Sequence, residues 1–327
     1  MKKWLIAVVP IILILVIIII MVFQDRMDVK FMKEYSENTE EIKEIPRSYY
    51  NKTEKGGKLE EFYYDTYESK TYNEKSKKIT KRAIIYTPYG YDETKEYDIL
   101  YLMHGGWSNE TTSLGTPSNP GAFKNVIDNA IEKGEIKPII IVCPTYNNES
   151  SNDSADYTLA YYTLTVNYYN ELANDLIPAV ESKYSTYAKS NSHDDIVDSR
   201  NHRAFGGFSM GSVTTWHTFV NCLDSFKYFI TSSGAIDDDL IDSSVAKQGY
   251  TKDDFFMMSF TGTEDFAGSG FTSLINSLLN KKSNNFVAGT NEKEGNLYFR
   301  IKDGYTHDGT AFMTYIYNGL LEIYKGK

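Results

Sequence analysis

"RAFGGFSMGSVTTWHTF", residues 203–219, places Ser209 between two glycines, directly after an apolar run and directly before a helical pattern. Gly207-Phe208-Ser209-Met210-Gly211 fits G-x-S-x-G, the pattern of a strand that turns sharply into a helix and lifts the serine hydroxyl above the sheet. Glycines two before and two after suit a junction where strand and helix pass too close for a Cβ. An ordinary serine in a tight turn fits the same five residues, so the surrounding chain must decide between the two readings.

The neighbouring runs supply the context. "LEEFYYDTY" (59–67) and "KKITKRAIIYTP" (77–88) read as β-strands, the second closed by Pro88 and Gly90. "YDILYLMH" (97–104) and "KPIIIVCP" (137–144) are short apolar runs, as expected of strands buried on both faces. "HRAFGGF" leads into Ser209, and "FKYFITSSG" (226–234), "FFMMSFTG" (255–262) and "NLYFRIK" (296–302) add further strands. Helical stretches lie near 122–133, 168–184, 268–281 and 309–325, and Val213, Trp216, Val220 and Leu223 form one helix face after Ser209. Strands alternating with helices predict an α/β domain with a mostly parallel sheet. That setting favours a catalytic Ser209.

A chain of 327 residues that is 41% hydrophobic can build one large α/β domain. Its net charge of −10 argues against a nucleic-acid partner, which needs a basic face. The 27 tyrosines offer sugar-stacking surface, although an Asn-, Lys-, Ile- and Tyr-rich chain follows more simply from genomic base composition. Cys143 and Cys222 read as small core residues, and without CxxC or Cys/His ligand spacing neither a zinc site nor a disulfide framework is expected. At the N-terminus, Lys2 and Lys3 precede an uncharged apolar run from Trp4 to Phe23, the length of a membrane-spanning helix. No small-x-small cleavage site or lipobox cysteine follows, so residues 1–23 read as an uncleaved signal anchor with the remainder outside. Residues 24–57 are charged and poorly periodic and read as a polar stalk, leaving 58–327 as the enzyme domain.

A serine hydroxyl needs a base to activate it, and the base needs an acid to orient it. His104 ends a strand, His193 lies in the polar loop "SNSHDD", and His202 precedes its strand at the opposite end of the sheet. His217 is eight residues along the helix, roughly 12 Å from Ser209. His307 remains, in the glycine-flanked loop "DGYTHDGTAF" between the last strand and the last helix; a bond to neighbouring Asp308 is the plainer alternative. For the acid, "FTGTED" offers Glu264 and Asp265 after a late strand, and "GAIDDD" offers Asp237, Asp238 and Asp239 after an earlier one. A group that fixes the imidazole tautomer must be held rigidly, which favours Asp265 over an acidic turn. Backbone N–H groups of Met210 and Gly106, with Trp107 next in line, are expected to form an oxyanion hole. Tyr157, Tyr161 and Tyr162, together with Trp107, are the candidate substrate-binding surface, because 146–169 joins a strand end to a helix on the serine's side of the sheet.

These blocks resemble the esterase-D-like branch of the α/β hydrolases, in particular bacterial feruloyl and acetyl-xylan esterases. The resemblance runs from about Lys58 to the C-terminus and is densest in "YDILYLMHGG", "LIPAVESKYSTY", "HRAFGGFSMGS", "LDSFKYFITSSGA", "GTED" and "GYTHDG". It implies an α/β-hydrolase fold, here preceded by a transmembrane helix, and places the family's triad on Ser209, Asp265 and His307. Ser212, where relatives often have a third glycine, and the polar loop "AKSNSHDDIVDSRN" depart from the family pattern. The expected protein is a membrane-anchored, extracellular serine carboxylester hydrolase that removes feruloyl or acetyl groups from xylan-type polysaccharide through an acyl-enzyme. No metal or organic cofactor and no obligate protein partner is implied. The rivals are an acyltransferase resembling the mycolyl transferases and a non-catalytic binding protein on the same scaffold.

Overall fold

The computed structural model describes residues 42–326. Its strands are β1 (Lys58–Tyr67), β2 (Lys78–Thr87), β3 (Asp98–Met103), β4 (Ile139–Cys143), β5 (Arg203–Phe208), β6 (Tyr228–Ser232), β7 (Phe256–Gly262) and β8 (Leu297–Lys302). They form one sheet in the order β1-β2-β4-β3-β5-β6-β7-β8. The β1–β2 and β2–β4 pairs are antiparallel, and every other pair is parallel. Helices α1 (Ala122–Glu132), α2 (157–181), α3 (His193–Asp198), α4 (Met210–Asn221), α5 (Asp238–Lys247), α6 (Gly268–Leu279) and α7 (Gly309–Ile323) fill the crossovers. Two π-helical turns, Ala160–Leu164 and Leu172–Leu176, interrupt α2. The expected strands are all present.

The sheet is covered on both faces, which explains why its central strands read as unbroken apolar runs. Along β3, Ile99, Tyr101 and Met103 enter one core with Leu172, Trp216 and Phe219. Leu100 and Leu102 enter the other with Phe123, Ile127 and Leu320. In α1, Phe123, Val126, Ile127 and Ala130 recur at helical spacing and all are buried, so the helix lays one stripe on the sheet. Cys143 and Cys222 are free thiols within these cores.

The expected membrane span lies outside the described residues, among which no helix is long and apolar enough to cross a membrane. The expected stalk needs correction. Ile42, Ile45 and Tyr49 are buried in the core that α1 and α7 cover. The Asn129 side-chain amide donates to Tyr49 O and Asn51 O at 3.1 and 2.9 Å, and Lys302 Nζ donates to Ile42 O at 3.1 Å. Residues 42–57 therefore belong to the folded unit. Their partners include Asn129, Lys302 and Asn318, which exchanges bonds with the Lys43 backbone at 2.9 Å, all too remote in sequence for local polarity to reveal. A chain starting at Gly57 should be less stable by about 3 kcal/mol than one starting just before Ile42, since ordering entropy offsets only part of the lost burial. Urea melts of the two chains check this, and equal midpoints would show that the segment adds nothing.

Candidate active site

β5 ends at Phe208 and α4 begins at Met210, so Ser209 alone makes the turn, at φ 58° and ψ −121°. A non-glycine residue held there costs roughly 1–3 kcal/mol. Backbone bonds retain it: Ser209 N–H donates to Ser232 O at 2.8 Å, and Val213 N–H donates to Ser209 O at 3.1 Å. A Cβ on Gly207 would lie 2.5 Å from the Gly211 carbonyl carbon, and one on Gly211 would lie 2.5 Å from Met103 O. Neither position accepts a side chain. Ser212 is buried, donates through Oγ to Gly234 O at 2.8 Å and accepts from Ser232 N–H at 3.0 Å. It thereby ties α4 to β6, a role that a glycine at that position would leave unfilled.

Asp265, in the turn after β7, has a fully buried side chain, and its Oδ1 lies 2.8 Å from His307 Nδ1 in the loop between β8 and α7. Ala267 N–H donates to the same oxygen at 2.8 Å. A carboxylate only accepts, so Nδ1 carries the proton and Nε2 keeps its lone pair. Asp308 is engaged elsewhere: it caps α7, accepting from Thr310 and Ala311 N–H at 2.8 and 3.0 Å. Those backbone bonds hold its carboxyl below the usual range. The alternative acids are also committed, Asp237 as the cap of α5 and Asp238 and Asp239 as ion-pair partners of Lys281. Phe208 and Phe266 pack on the His307 ring with centroids 4.4 and 4.3 Å away. Neither ring was singled out from sequence, because an aromatic beside a serine or an aspartate carries no periodic signal.

The other histidines have structural work. His104 is buried, its Nδ1 2.7 Å from Gly105 O and its Nε2 2.7 Å from Thr145 Oγ1, and burial pushes its pKa down to about 3. The carbonyl must receive the Nδ1 proton, so Nε2 accepts from the threonine. Tyr146 Oη donates to Gly105 O as well, at 2.8 Å. With that carbonyl pinned, a trans peptide turns the Gly106 N–H the opposite way. Trp107 N–H is spent on Ser154 O at 3.0 Å, which removes it from the candidate oxyanion donors. Met210 N–H opens α4 and has no acceptor within the helix. His217 is buried and pushed down to about 4, His202 bonds Asp98 at 2.7 Å at the start of β3, and His193 is exposed.

A cavity of about 350 Å³ opens onto Ser209 and His307, and Gly105, Gly106, Trp107, Phe208, Phe266 and Phe312 are among the residues that wall it. Tyr157, Tyr161 and Tyr162 do not line it. Tyr157 stacks on Tyr161 with centroids 5.5 Å apart, Tyr162 meets Tyr161 edge-on at 4.8 Å, and Tyr161 Oη donates to Ala235 O at 3.2 Å. They open α2, which packs on the sheet face opposite the cavity's Phe208 and Phe312. Of the four expected substrate-binding residues, only Trp107 meets the cavity.

This arrangement, at the carboxyl ends of a mostly parallel sheet, is that of an α/β ester hydrolase. The chain belongs to the Esterase family, whose model matches residues 77–285. It is 39% identical over 249 residues, 74% of its length, to endo-1,4-beta-xylanase Y of Acetivibrio thermocellus. It is 31% identical over 157 residues, 46% of its length, to an endo-1,4-beta-xylanase/feruloyl esterase of Xylanibacter ruminicola. These matches take in 22% and 19% of the two relatives, so the chain spans about a fifth of their length. A solved serine-to-alanine mutant of the feruloyl esterase module from Clostridium thermocellum, complexed with sinapinate, superposes with a TM-score of 0.75 at 34% identity, covering 87% of this chain and 94% of that one.

The two buried histidines imply an acid-sensitive fold. Their folded pKa values lie below the ordinary 6.5, so between about pH 6.5 and 4 the unfolded chain binds protons that the folded chain refuses. Stability should fall as pH drops through that window, by up to about 1.4 kcal/mol per pH unit for each histidine. Denaturant melts from pH 7 to 5 should show the decline, and His217→Gln should make it shallower. A midpoint independent of pH over that range would contradict it.

Proposed function

We propose that the chain is a serine esterase that releases feruloyl-type acids from xylan-type polysaccharide through an acyl-enzyme. The observation that carries the acyl assignment is the cavity beside Ser209. At about 350 Å³, with Phe208 and Phe312 on its walls, it holds far more than an acetyl group, and no lysine or arginine among the described residues lines it to bind a charged acyl group. The relatives named as xylanase and feruloyl esterase, and the sinapinate complex of the solved one, support the same reading.

In this mechanism His307 Nε2 takes the proton of Ser209 as its hydroxyl attacks the ester carbonyl, while Asp265 stabilises the imidazolium. The Gly106 and Met210 N–H groups receive the developing oxyanion. His307 then returns the proton to the leaving oxygen, the alcohol departs, and water deprotonated by the same histidine releases the acid. The apolar run Trp4–Phe23, after Lys2 and Lys3, supports an anchor that holds the esterase domain outside the cell, where the polymer is found.

Ser209→Ala and His307→Ala should each lower kcat on methyl ferulate by roughly a thousandfold or more, with folding intact, and Asp265→Asn should be comparably defective. A fluorophosphonate should label Ser209. Wild type should prefer methyl ferulate to an alkyl acetate in kcat/KM; the opposite preference would make it an acetyl esterase. For the anchor, the intact chain should sediment with membranes, and recovery of a chain processed after Phe23 from the medium would overturn that assignment.

A further inference from the structure

Two rings on the cavity wall project out of it. Phe266 is 83% exposed and Trp107 is 74% exposed, yet both line the space that Ser209 and His307 share. Single exposed hydrophobics are ordinary on a protein surface; two large rings at the mouth of one cavity form a patch that suits a ligand. Trp107 is also held at φ 53°, a conformation that a bulky residue adopts only under constraint. The bond from its N–H to Ser154 O at 3.0 Å, and the pinned carbonyl of Gly105, provide that constraint. The loop thus retains strain at a site where its indole gains little burial.

The chemistry indicates what these rings would meet. The group that accepts the serine proton next delivers it to the leaving oxygen, so the departing alcohol must lie beside His307. Of the two rings packed on that imidazole, Phe208 is buried and Phe266 faces solvent. An acyl chain directed into the cavity leaves Phe266 and Trp107 to the alcohol half of the ester. Both are uncharged, flat and apolar, a surface that suits the C–H face of a sugar ring, whose hydroxyls stay in water.

We propose that Phe266 and Trp107 form a leaving-group subsite that stacks on the sugar carrying the ester. The inference rests on the ester-hydrolase reading and extends it from the acyl group to the alcohol. It divides the recognition of substrate: the cavity reads the acid, and the rim reads the carbohydrate.

The test compares methyl ferulate with a feruloylated arabinoxylo-oligosaccharide, which share an acyl group and differ in the alcohol. In Phe266→Ala and in Trp107→Ala, the ratio of kcat/KM on the sugar ester to that on the methyl ester should fall about tenfold, mostly through KM. Phe266→Tyr should restore it. Equal losses on both esters would assign Phe266 to His307 alone and overturn the subsite, as would an unchanged ratio. A second readout needs no turnover: unesterified arabinoxylo-oligosaccharide should quench tryptophan fluorescence of the full-length Ser209→Ala protein. Trp107→Phe should abolish the signal and Phe266→Ala should weaken it. Absence of binding there would overturn the subsite, whereas binding by a wild type that cleaves neither ester would overturn the hydrolase reading and leave the subsite standing.

Discussion

The constraint on which the site depends is the passage of α4 over the end of β5. Backbone approaches backbone so nearly at Gly207 and Gly211 that a Cβ on either would lie 2.5 Å from its neighbour. Ser209, caught between them, is forced to φ 58°. The sheet tolerates that strain because the turn is bonded on both sides, to Ser232 O from its own N–H and from Val213 N–H to its own carbonyl. Three of the five non-glycine residues with positive φ among the described residues, Trp107, Ser209 and Ser233, stand at this end of the sheet. Strain concentrates where a rigid scaffold aims functional groups.

The opposite end of β5 is anchored equally firmly. Arg203 is buried at the first position of the strand and meets Glu181 in two bonds of 2.6 and 2.8 Å. It also donates to Ile196 O and Ser225 O, at 2.9 and 2.7 Å. Such a pair adds little net stability, but removing one partner leaves an uncompensated buried charge worth about 3–5 kcal/mol. The strand that leads into Ser209 is thus held by ion pairing at its start and by steric closeness at its end.

Between these fixed points the parallel topology gathers the site. The turns after β3, β5, β7 and β8 all emerge at one edge, which brings residues 104–107, 209, 266 and 307 to a single cavity, with Asp265 buried behind His307. His104 serves this edge without reacting. Burial keeps it neutral, and its bond to Gly105 O, with that from Tyr146, orients the next peptide N–H.

The sequence by itself determined the α/β alternation and the strained turn at Ser209, and it favoured Asp265 as the partner of His307 over Asp308 and the acidic run 237–239, a choice the geometry then decided. Each is written in a short local pattern: apolar runs of strand length, glycines at a tight turn, a histidine and an aspartate in turns that follow late strands. Tertiary structure alone decided which aromatics meet the cavity beside Ser209. The tyrosines of α2 and the phenylalanines at 208, 266 and 312 look alike as a sequence, and only the side of the sheet on which α2 packs and the strand ends and turns that carry Phe208 and Phe266 tell them apart. The same holds for 42–57, whose polar composition conceals three buried side chains, and for the Arg203–Glu181 pair, 22 residues apart. Local propensity is encoded within a few residues, whereas packing partners are chosen by the whole chain, and no short stretch contains that choice.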